Sequence, residues 1–240
     1  MANLKVNTVS GIGTEGTVFD GGIKFRSLNY LTLPKGDTAQ RGRGRGLWAG
    51  GTTGVSSNII QYAELSSQGN TIDFGDLSAV NDSAMGTASA TRAVYGGGRN
   101  HPSYYNKIDT VEIATTGNAT DFGDVTAARS GGQGCGNQTR GLFGPGFNPS
   151  GSPTSINTID FVTIATLGNA QDFGDLSDSS TECRGSASRT RFVFNLGFTP
   201  SVSNVIEFVQ FATKANSQDF GDLTVSRGQA AGFSNGHGGL

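Results

Sequence analysis

A short stretch that occurs four times constrains the fold of this chain more than any other feature. It reads Asp-Phe-Gly-Asp-Leu from Asp172, and near-copies begin at Asp73, Asp121 and Asp219, so that successive first aspartates are 48, 51 and 47 residues apart. Sequence periods of this length are typical of propellers and solenoids, in which each repeat is one supersecondary unit. The chain is therefore predicted to be a repeat protein whose core is shared between units.

Two further strands can be placed in each unit from the spacing. A short apolar strand begins at an arginine and ends in glycine, and an alternating strand begins at an asparagine 15 residues before the first aspartate. The arginines are Arg45, Arg92, Arg140 and Arg191, and the asparagines are Asn58, Asn106, Asn157 and Asn204. The variation in length falls between these two strands, at residues 52–57, 99–105, 147–156 and 198–203. Fixed strands with variable loops on one face are predicted to form a binding surface.

The composition agrees with many short strands and excludes several classes of function. Glycine accounts for 38 of 240 residues and apolar residues for 35%, which favours tight turns over helix bundles. The net charge of −2 predicts no whole-chain attraction to nucleic acid, and the basic run 41–45 is interpreted as a solvated linker. Cys135 and Cys183 stand at different places in their units, so neither a disulfide nor a zinc site is predicted. No membrane span or secretory leader is expected.

The end of the sequence predicts how the array closes. Residues 227–235 repeat the pattern of 129–137, and the chain ends where the next arginine-initiated strand would begin. A strand at about 228–236 is therefore expected to join the strands within about 45–75, which would remove exposed sheet edges. The predicted architecture is an all-β, four-bladed antiparallel propeller preceded by an extended arm. Its parts are the arm over residues 1–44 and, within 45–240, units at about 45–91, 92–139, 140–190 and 191–240.

The repeat resembles the kelch repeat of β-propeller proteins. Residues 130–135 are similar to its small-residue strand, residues 142–146 to its glycine-ended strand, and Phe173 with Leu176 to the aromatic and leucine of its last strand. The resemblance covers about 45–240 and implies a kelch-like propeller. That fold carries enzymes and binding modules alike, so it does not by itself predict a function.

Aromatic and connecting residues are compared across the four units. Phenylalanine replaces the kelch tryptophan at four equivalent positions, which are predicted to be core wedges between blades: Phe74, Phe122, Phe173 and Phe220. A second set of equivalent strand residues comprises Trp48, Tyr95, Phe143 and Phe194. The connecting arginine is present at Arg129 and Arg227 but replaced by Asn81 and Ser180. Its contacts are therefore not expected to recur in every unit.

The N-terminal residues resemble the leading segment of tail, fibre and head-decoration proteins of bacteriophages, particularly marine and cyanobacterial ones. The resemblance rests on residues 3–13 and 31–36. It implies a virion component, assembled in the host cytoplasm, whose arm docks on the particle while the propeller faces outward. The partners implied are other virion proteins through residues 1–45, in multiple copies, and a host cell-surface glycan or protein.

The repeated aspartates are candidates for two roles. Two carboxylates three residues apart could bind calcium, but Asp and Gly at strand ends are also what tight turns use. Turn formation is the favoured interpretation for the four stretches that begin at Asp73, Asp121, Asp172 and Asp219. No metal or other cofactor is predicted.

Candidate binding residues lie in the variable loops. Residues 99–105 combine a cation, an imidazole and two adjacent tyrosines, whereas residues 147–153 and 198–200 present an aromatic ring beside proline. Aromatic rings offer large contact area at low entropic cost. The predicted contact residues are Arg99, His101, Tyr104, Tyr105, Phe147 and Phe198. The histidines His101 and His237 stand in no catalytic motif, so no catalytic residue is predicted; an enzyme acting on host surface glycans is the alternative.

Overall fold

Every regular element in the computed structural model of the chain is a β-strand. The structure describes residues 44–65, 67–149 and 154–234, and none of these is in a helix. The prediction of an all-β, antiparallel fold is thereby confirmed. The predicted arm lies outside the described residues except for Gly44.

The strands form four antiparallel sheets and two small hairpins. The first sheet is β1 (Arg45–Ala49), β2 (Ile59–Glu64) and β3 (Ile72–Asp76). The second is β4 (Met85–Ala88), β5 (Arg92–Gly96), β8 (Lys107–Glu112) and β9 (Thr120–Asp124). The third is β10 (Gly134–Gly136), β11 (Arg140–Phe143), β12 (Ile156–Thr163) and β13 (Gln171–Ser180). The fourth is β14 (Arg184–Ala187), β15 (Arg191–Asn195), β18 (Val205–Gln210) and β19 (Gln218–Asp222). The hairpins are β6 (Arg99–Asn100) with β7 (Ser103–Tyr104), and β16 (Phe198–Thr199) with β17 (Ser201–Val202).

Each four-stranded sheet takes its first strand from the preceding repeat unit. Strand β4 lies in the unit 45–91 yet pairs with β5 of the next unit, and β10 and β14 pair with β11 and β15 in the same way. The first sheet has no such additional strand in the described part of the chain. The closing strand was expected at about 228–236, but residues 228–234 are in no strand, and residues 235 and 236 lie outside the described residues.

The repeated Asp-Phe-Gly-Asp stretches lie inside β3, β9, β13 and β19, so the interpretation as turns is wrong. In the first of them Ile60 pairs with Gly75, whereas the next residue, Gln61, pairs with Asp73. Phe74 is therefore the additional residue of a β-bulge, and the other three copies shift register at the same place. Gly75 has a φ of +144°, a conformation that glycine adopts without steric cost.

The bulged phenylalanines form the core between neighbouring sheets. Three are buried, each in a cluster with residues of the sheet that follows: Phe74, Phe122 and Phe173. Phe173 shares its cluster with Phe192 and Phe194, for example. These three rings therefore lie in the core between adjacent sheets. Phe220, on the last sheet, is 53% exposed, and Trp48, on the first, is 55% exposed although the equivalent Phe143 and Phe194 are fully buried.

Substitution of a wedge should destabilise the whole array. Phe173→Ala removes a buried ring from the junction of the third and fourth sheets and is expected to lower the free energy of unfolding by about 3–5 kcal/mol. Leu167→Ala is the control, since Leu167 is 58% exposed and exposed substitutions usually change stability by less than about 0.5 kcal/mol. Urea unfolding of both variants measures the difference, and equal stabilities would contradict the wedge role.

Neighbouring sheets contact each other at three places in the described part of the chain, and we call each of these contacts a joint. The same hydrogen bonds recur in all three joints. In each joint the arginine that begins a sheet's apolar strand donates to a backbone carbonyl of the following sheet's unit. The pairs are Arg45 Nη1 to Ile113 O at 3.0 Å, Arg92 Nη1 to Ile164 O at 2.8 Å, and Arg140 Nη1 to Phe211 O.

A second contact of each joint involves the glycine of the repeated stretch. A β-carbon at Gly75 would lie only 2.4 Å from the carbonyl oxygen of Gly117, so glycine is needed for the approach. Beside it, the backbone N–H of the next aspartate donates to the side-chain oxygen of an asparagine in the following unit. These bonds are Asp76 to Asn118 at 3.1 Å, Asp124 to Asn169 at 3.0 Å, and Asp175 to Asn216 at 3.1 Å.

A buried acid forms a third contact in each joint. It accepts from the residue that follows the repeated stretch: Ser78 N to Asp109 at 3.0 Å, Thr126 N to Asp160 at 2.9 Å, and Ser177 N to Glu207 at 3.1 Å. All three acids are at most 4% exposed. A buried acid must have its hydrogen bonds satisfied, and the adjacent sheet supplies them.

The connecting residue forms a similar hydrogen bond in each of the three joints, although only one of the three is an arginine. Asn81, Arg129 and Ser180 differ in size and charge, yet each donates to a carbonyl at the end of the next apolar strand. The bonds are Asn81 Nδ2 to Gly97 O at 2.9 Å, Arg129 Nε to Gly144 O at 3.1 Å, and Ser180 Oγ to Leu196 O. Arg129 also forms an ion pair with Asp160 at 3.0 Å, in which both side chains are buried.

Breaking this buried ion pair should be costly. Asp160→Ala leaves the guanidinium of Arg129 buried without a counter-charge, and we expect a loss of about 3–5 kcal/mol of stability. Glu112→Ala is the matched control, because the Arg92–Glu112 pair has a Glu112 side chain that is 55% exposed and such pairs contribute at most about 1 kcal/mol. Thermal unfolding in low salt distinguishes the two, and a similar small shift for both would show that Arg129 is solvated.

The first strands of the four-stranded sheets, β4, β10 and β14, lie along one edge of the array, which we call the inner edge. Four equivalent glycines lie there: Gly86, Gly134, Gly185 and Gly232. A β-carbon at Gly134 would lie 2.3 Å from Gly86 O, and one at Gly232 would lie 2.9 Å from Gly185 O. The C-terminal segment 231–234 thus approaches β14 as β10 approaches β4. These inner segments line a cavity of about 340 Å³.

Candidate functional site: the loop face

The four variable loops lie at the same end of the sheets, because each joins equivalent strands. Two of them form the hairpins β6–β7 and β16–β17, and the others contain the isolated bridges Thr52 to Ser56 and Phe147 to Ser155. We call this end the loop face. The prediction that the variable loops share one face agrees with this topology.

Asp82 joins the first two loops. It accepts hydrogen bonds from Ser56 Oγ at 2.8 Å, Ser83 Oγ at 2.9 Å and Arg99 Nε at 2.8 Å. Burial opposes ionisation of Asp82, but the hydrogen bonds of Arg99, Ser56 and Ser83 outweigh it and hold the pKa of the carboxyl below its ordinary value of 3.8. The hydrogen bond to Asp82, followed by one to Tyr104, raises the pKa of Arg99. Arg99 is therefore an ion-pair partner within the loop face.

The predicted aromatic residues occupy three of the loops. Tyr104 contacts Phe147 of the next loop edge to face, with ring centroids 6.2 Å apart, and both side chains are half-buried. Tyr105 is half-buried as well. Phe198 is 43% exposed, and one edge of its ring lies over Gly228. The structure therefore places Tyr104 and Phe147 together and Phe198 in a separate loop.

His101 lies at the exposed tip of the β6–β7 hairpin. Three predicted contact residues form none of the loop-to-loop side-chain contacts given above: His101, Tyr105 and Phe198. Residues 150–153 of the third loop and His237 lie outside the described residues. Of the six predicted contact residues, His101 and Phe198 are the exposed ones, whereas the other four are half-buried.

Sequence reasoning missed the residues that hold the loop face together. Asp82 follows no repeated motif, and Ser56 lies in a loop of small polar residues. Their role depends on the approach of Arg99, 17 residues further along the chain, which only the folded arrangement shows. A signal that could have indicated it is the presence of an acid, Asp82, in the connection that leads into the unit with the cationic loop 99–105.

Two of the repeated aspartates, Asp172 and Asp219, have local structural roles. Asp172 Oδ1 accepts from Gly174 N at 3.0 Å and Asp219 Oδ1 accepts from Gly221 N at 3.1 Å, which stabilises the bulge. In the described part of the chain no group of three or more His, Cys, Asp or Glu side chains could hold a metal ion.

The two cysteines are separate thiols. Burial raises the pKa of both Cys135 and Cys183 to about 11, so both are protonated at neutral pH and poorly nucleophilic. Cys135 lies on the inner cavity and Cys183 is fully buried between the third and fourth sheets.

No protein-family model matches the chain, and a search of curated protein sequences found no relative. Within the described ranges there is also no helix long and apolar enough to cross a membrane.

Loss of the Asp82 charge should destabilise the loop face in a pH-dependent manner. The folded-state pKa is lowered, so the stabilisation is present above the unfolded value near 3.8 and is lost as the pH falls through the folded value. We expect Asp82→Asn to cost about 1.5–3 kcal/mol at pH 7. The deficit should shrink as the pH falls below 3.8.

The control is Asp121→Asn, at an exposed carboxylate of β9. Urea unfolding at several pH values compares the two variants with the parent chain. A deficit for Asp82→Asn that stays constant down to the lowest pH would show that the ionised carboxylate is not the stabilising group.

Proposed function

We propose that the chain is a non-enzymatic structural protein of a bacteriophage virion. Residues 1–44 dock on the particle, and the repeat region is displayed outward as a tail-associated, fibre-associated or head-decoration component whose loop face takes part in host attachment. The proposal rests on the resemblance of the N-terminal residues to virion proteins and on the construction of the loop face. The protein is expected in the virion in multiple copies.

The finer architecture that we propose is a four-bladed kelch-like β-propeller, completed by the C-terminal segment. Three joints with the same hydrogen bonds support a regular array, since equivalent contacts give equivalent rotations between sheets. The approach of Gly232 to Gly185 supports the placement of the C-terminal segment at the inner edge. Closure of a sheet array into a ring removes exposed edges, which otherwise favour aggregation.

One observation supports the proposed function most directly. The hydrogen bonds of the joints are the same from unit to unit, whereas the variable loops differ. Substitutions between units leave the sheet-to-sheet hydrogen bonds in place, whereas the loops differ in length and in composition. The loops are also linked to the scaffold, through Asp82 and through the backbone bond from Thr181 N to Phe198 O at 3.1 Å. A pre-organised surface with exposed aromatic rings binds a partner at low entropic cost.

The first test is the presence of the protein in purified phage particles. Mass spectrometry of density-purified virions should detect the chain at several copies per particle, and imaging with a labelled antibody should locate it at the surface. Detection in infected-cell lysate but not in purified particles would overturn the proposal.

The second test concerns the loop face. Particles that carry His101→Ala, Tyr105→Ala and Phe198→Ala together are expected to adsorb to the host at least tenfold more slowly, because two of these rings are exposed and that of Tyr105 is half-buried on the loop face. Arg99 stays unchanged, since it pairs with Asp82. The control is Gln68→Ala, Thr116→Ala and Leu167→Ala, three exposed positions at the opposite end of the sheets.

Equal adsorption of the two triple variants, with both proteins folded and incorporated, would leave the protein as a decoration component without a role in attachment. Release of sugars from host surface glycans by the purified full chain would favour the enzyme alternative instead.

A further inference from the structure

The first and second units each neutralise the arginine that begins their apolar strand. Arg45 forms an ion pair with Glu64 at 2.8 Å, and Arg92 forms one with Glu112 at 2.7 Å. Each glutamate lies directly opposite its arginine on the neighbouring strand. These two arginines therefore leave no uncompensated charge on the surface.

The third and fourth units lack this acid. Thr163 lies opposite Arg140, and Gln210 lies opposite Arg191. In the described part of the chain neither arginine forms an ion pair. Arg140 Nη1 donates instead to the carbonyl oxygen of Phe211, which orients the guanidinium without neutralising it. Both guanidinium charges are therefore uncompensated.

Two further cations lie beside these arginines. Lys214 Nζ lies 4.8 Å from the ring centroid of Phe161, and the guanidinium of Arg140 lies 5.3 Å from the same centroid. Arg189 is exposed and stands in the turn directly before Arg191, which is exposed as well. Two arginines and one lysine thus join Arg140 at one end of the third and fourth sheets.

Hydrogen bonds of one peptide hold these cations close together. The N–H of Phe211 donates to the carbonyl of Thr190 at 2.9 Å, and the carbonyl of Phe211 accepts from Arg140. Thr190 stands between two of the arginines, and Phe211 begins the turn that carries the lysine. We call the four cations the basic patch: Arg140, Arg189, Arg191 and Lys214.

The segments that carry the basic patch contain no acidic residue. These segments are 137–140, 163–171, 188–191 and 210–218. The exposed carboxylates of the same sheets, Asp172 and Asp219, accept hydrogen bonds from the backbone N–H groups of Gly174 and Gly221 within their own strands. The basic patch is therefore a local excess of positive charge on a chain whose net charge is −2.

The basic patch lies at the end of the sheets opposite the loop face. Strands β11 and β15 begin at Arg140 and Arg191 and run toward the third and fourth loops. Strand β1 begins at the same end, where the carbonyl of Gly44 accepts a hydrogen bond from Leu65 N at 2.7 Å. The residues before Arg45 therefore join the array at the end that carries the basic patch.

We propose that the basic patch binds an acidic protein surface of the particle. The inference rests on the proposed function, in which residues 1–44 dock on the particle and the loop face points away from it. Guanidinium groups match carboxylates in geometry, and charge-assisted hydrogen bonds are roughly twice as strong as neutral ones. The arm and the basic patch are then two contacts of the same end of the protein with the particle.

A nucleic acid would also attract arginine and lysine, but the rest of the chain does not favour it. Domains that bind nucleic acid are usually strongly basic, whereas the isoelectric point of this sequence is about 5.6. A long phosphate polymer would extend past the basic patch toward exposed acids such as Asp172 and Asp219. A folded protein partner can place its carboxylates against the basic patch alone.

Two substitutions neutralise the basic patch without removing a cation. Thr163→Glu with Gln210→Glu gives the third and fourth units the acids that pair with the arginine in the first and second units, and both positions are exposed. The experiment measures rebinding of the purified full chain to particles that lack it, in low and in high salt. We expect the parent chain to bind about tenfold more weakly in high salt, because salt screens exposed charges. We expect the double variant to bind about tenfold more weakly than the parent in low salt and to depend little on salt.

A matched control changes the net charge by the same amount at the other end. Lys107→Gln with Arg227→Gln removes two positive charges beside the loop face and is expected to bind the particle as the parent chain does. A second variant of the basic patch, Arg189→Gln with Lys214→Gln, introduces no new acid and is expected to weaken binding as well. Thermal unfolding of each variant shows that it is folded before binding is compared.

The outcomes separate this inference from the proposed function. Equal affinity of the parent and both basic-patch variants, or binding of the parent that does not depend on salt, would overturn the inference and leave the arm as the docking element. Absence of binding by every protein, the parent included, would overturn the docking proposal itself. A gel shift of a DNA duplex by the parent that is lost in Thr163→Glu with Gln210→Glu would show that the partner is a phosphate polymer, and the inference would fail.

Discussion

The structure depends on a β-bulge that recurs in each sheet. The additional residue in the outer strand is always phenylalanine, and the glycine after it takes a positive φ. The bulge has two consequences for packing: the ring enters the core between sheets, and the backbone at glycine can approach the next unit closely. Because a strand without a bulge alternates its side chains strictly, it could not place a ring and a close backbone contact on the same side at adjacent positions.

Once the bulge brings two sheets together, the polar groups of a joint form their hydrogen bonds with the neighbouring sheet. The buried acids at 109, 160 and 207 accept from backbone N–H groups across the joint, and Asp109 and Asp160 also accept from a hydroxyl there. The connecting residues donate to backbone carbonyls. The side chains at the connecting position differ widely in size and charge, but each carries a hydrogen-bond donor that contacts the carbonyl. The acceptor is the backbone carbonyl, which every residue has, so the joint tolerates substitution. Arg129 is the exception, since its charge also requires Asp160.

The sequence spacing predicted the antiparallel strands and the common end of the variable loops, because these depend on local pattern and on the order of elements, but the strand expected at about 228–236 is absent from the described residues 228–234. It was wrong about the Asp-Phe-Gly-Asp stretch, whose Asp and Gly content is typical of turns although the residues lie in a strand. It also treated Arg99 as a free contact residue, because the partner Asp82 is set by the fold and not by spacing. The joint contacts could not be predicted, since each links two units through a bulge that leaves no mark in the alternation of apolar residues.

The linked loops and the most exposed rings of the sheets lie at different places in the chain. The first loop is linked to the second through Asp82, and the fourth loop covers Gly228 with Phe198. Trp48 on the first sheet and Phe220 on the last are more than half exposed, and both lie in strands rather than in the variable loops. Because large exposed apolar side chains favour association, the first and last sheets present apolar contact sites that are separate from the loop face.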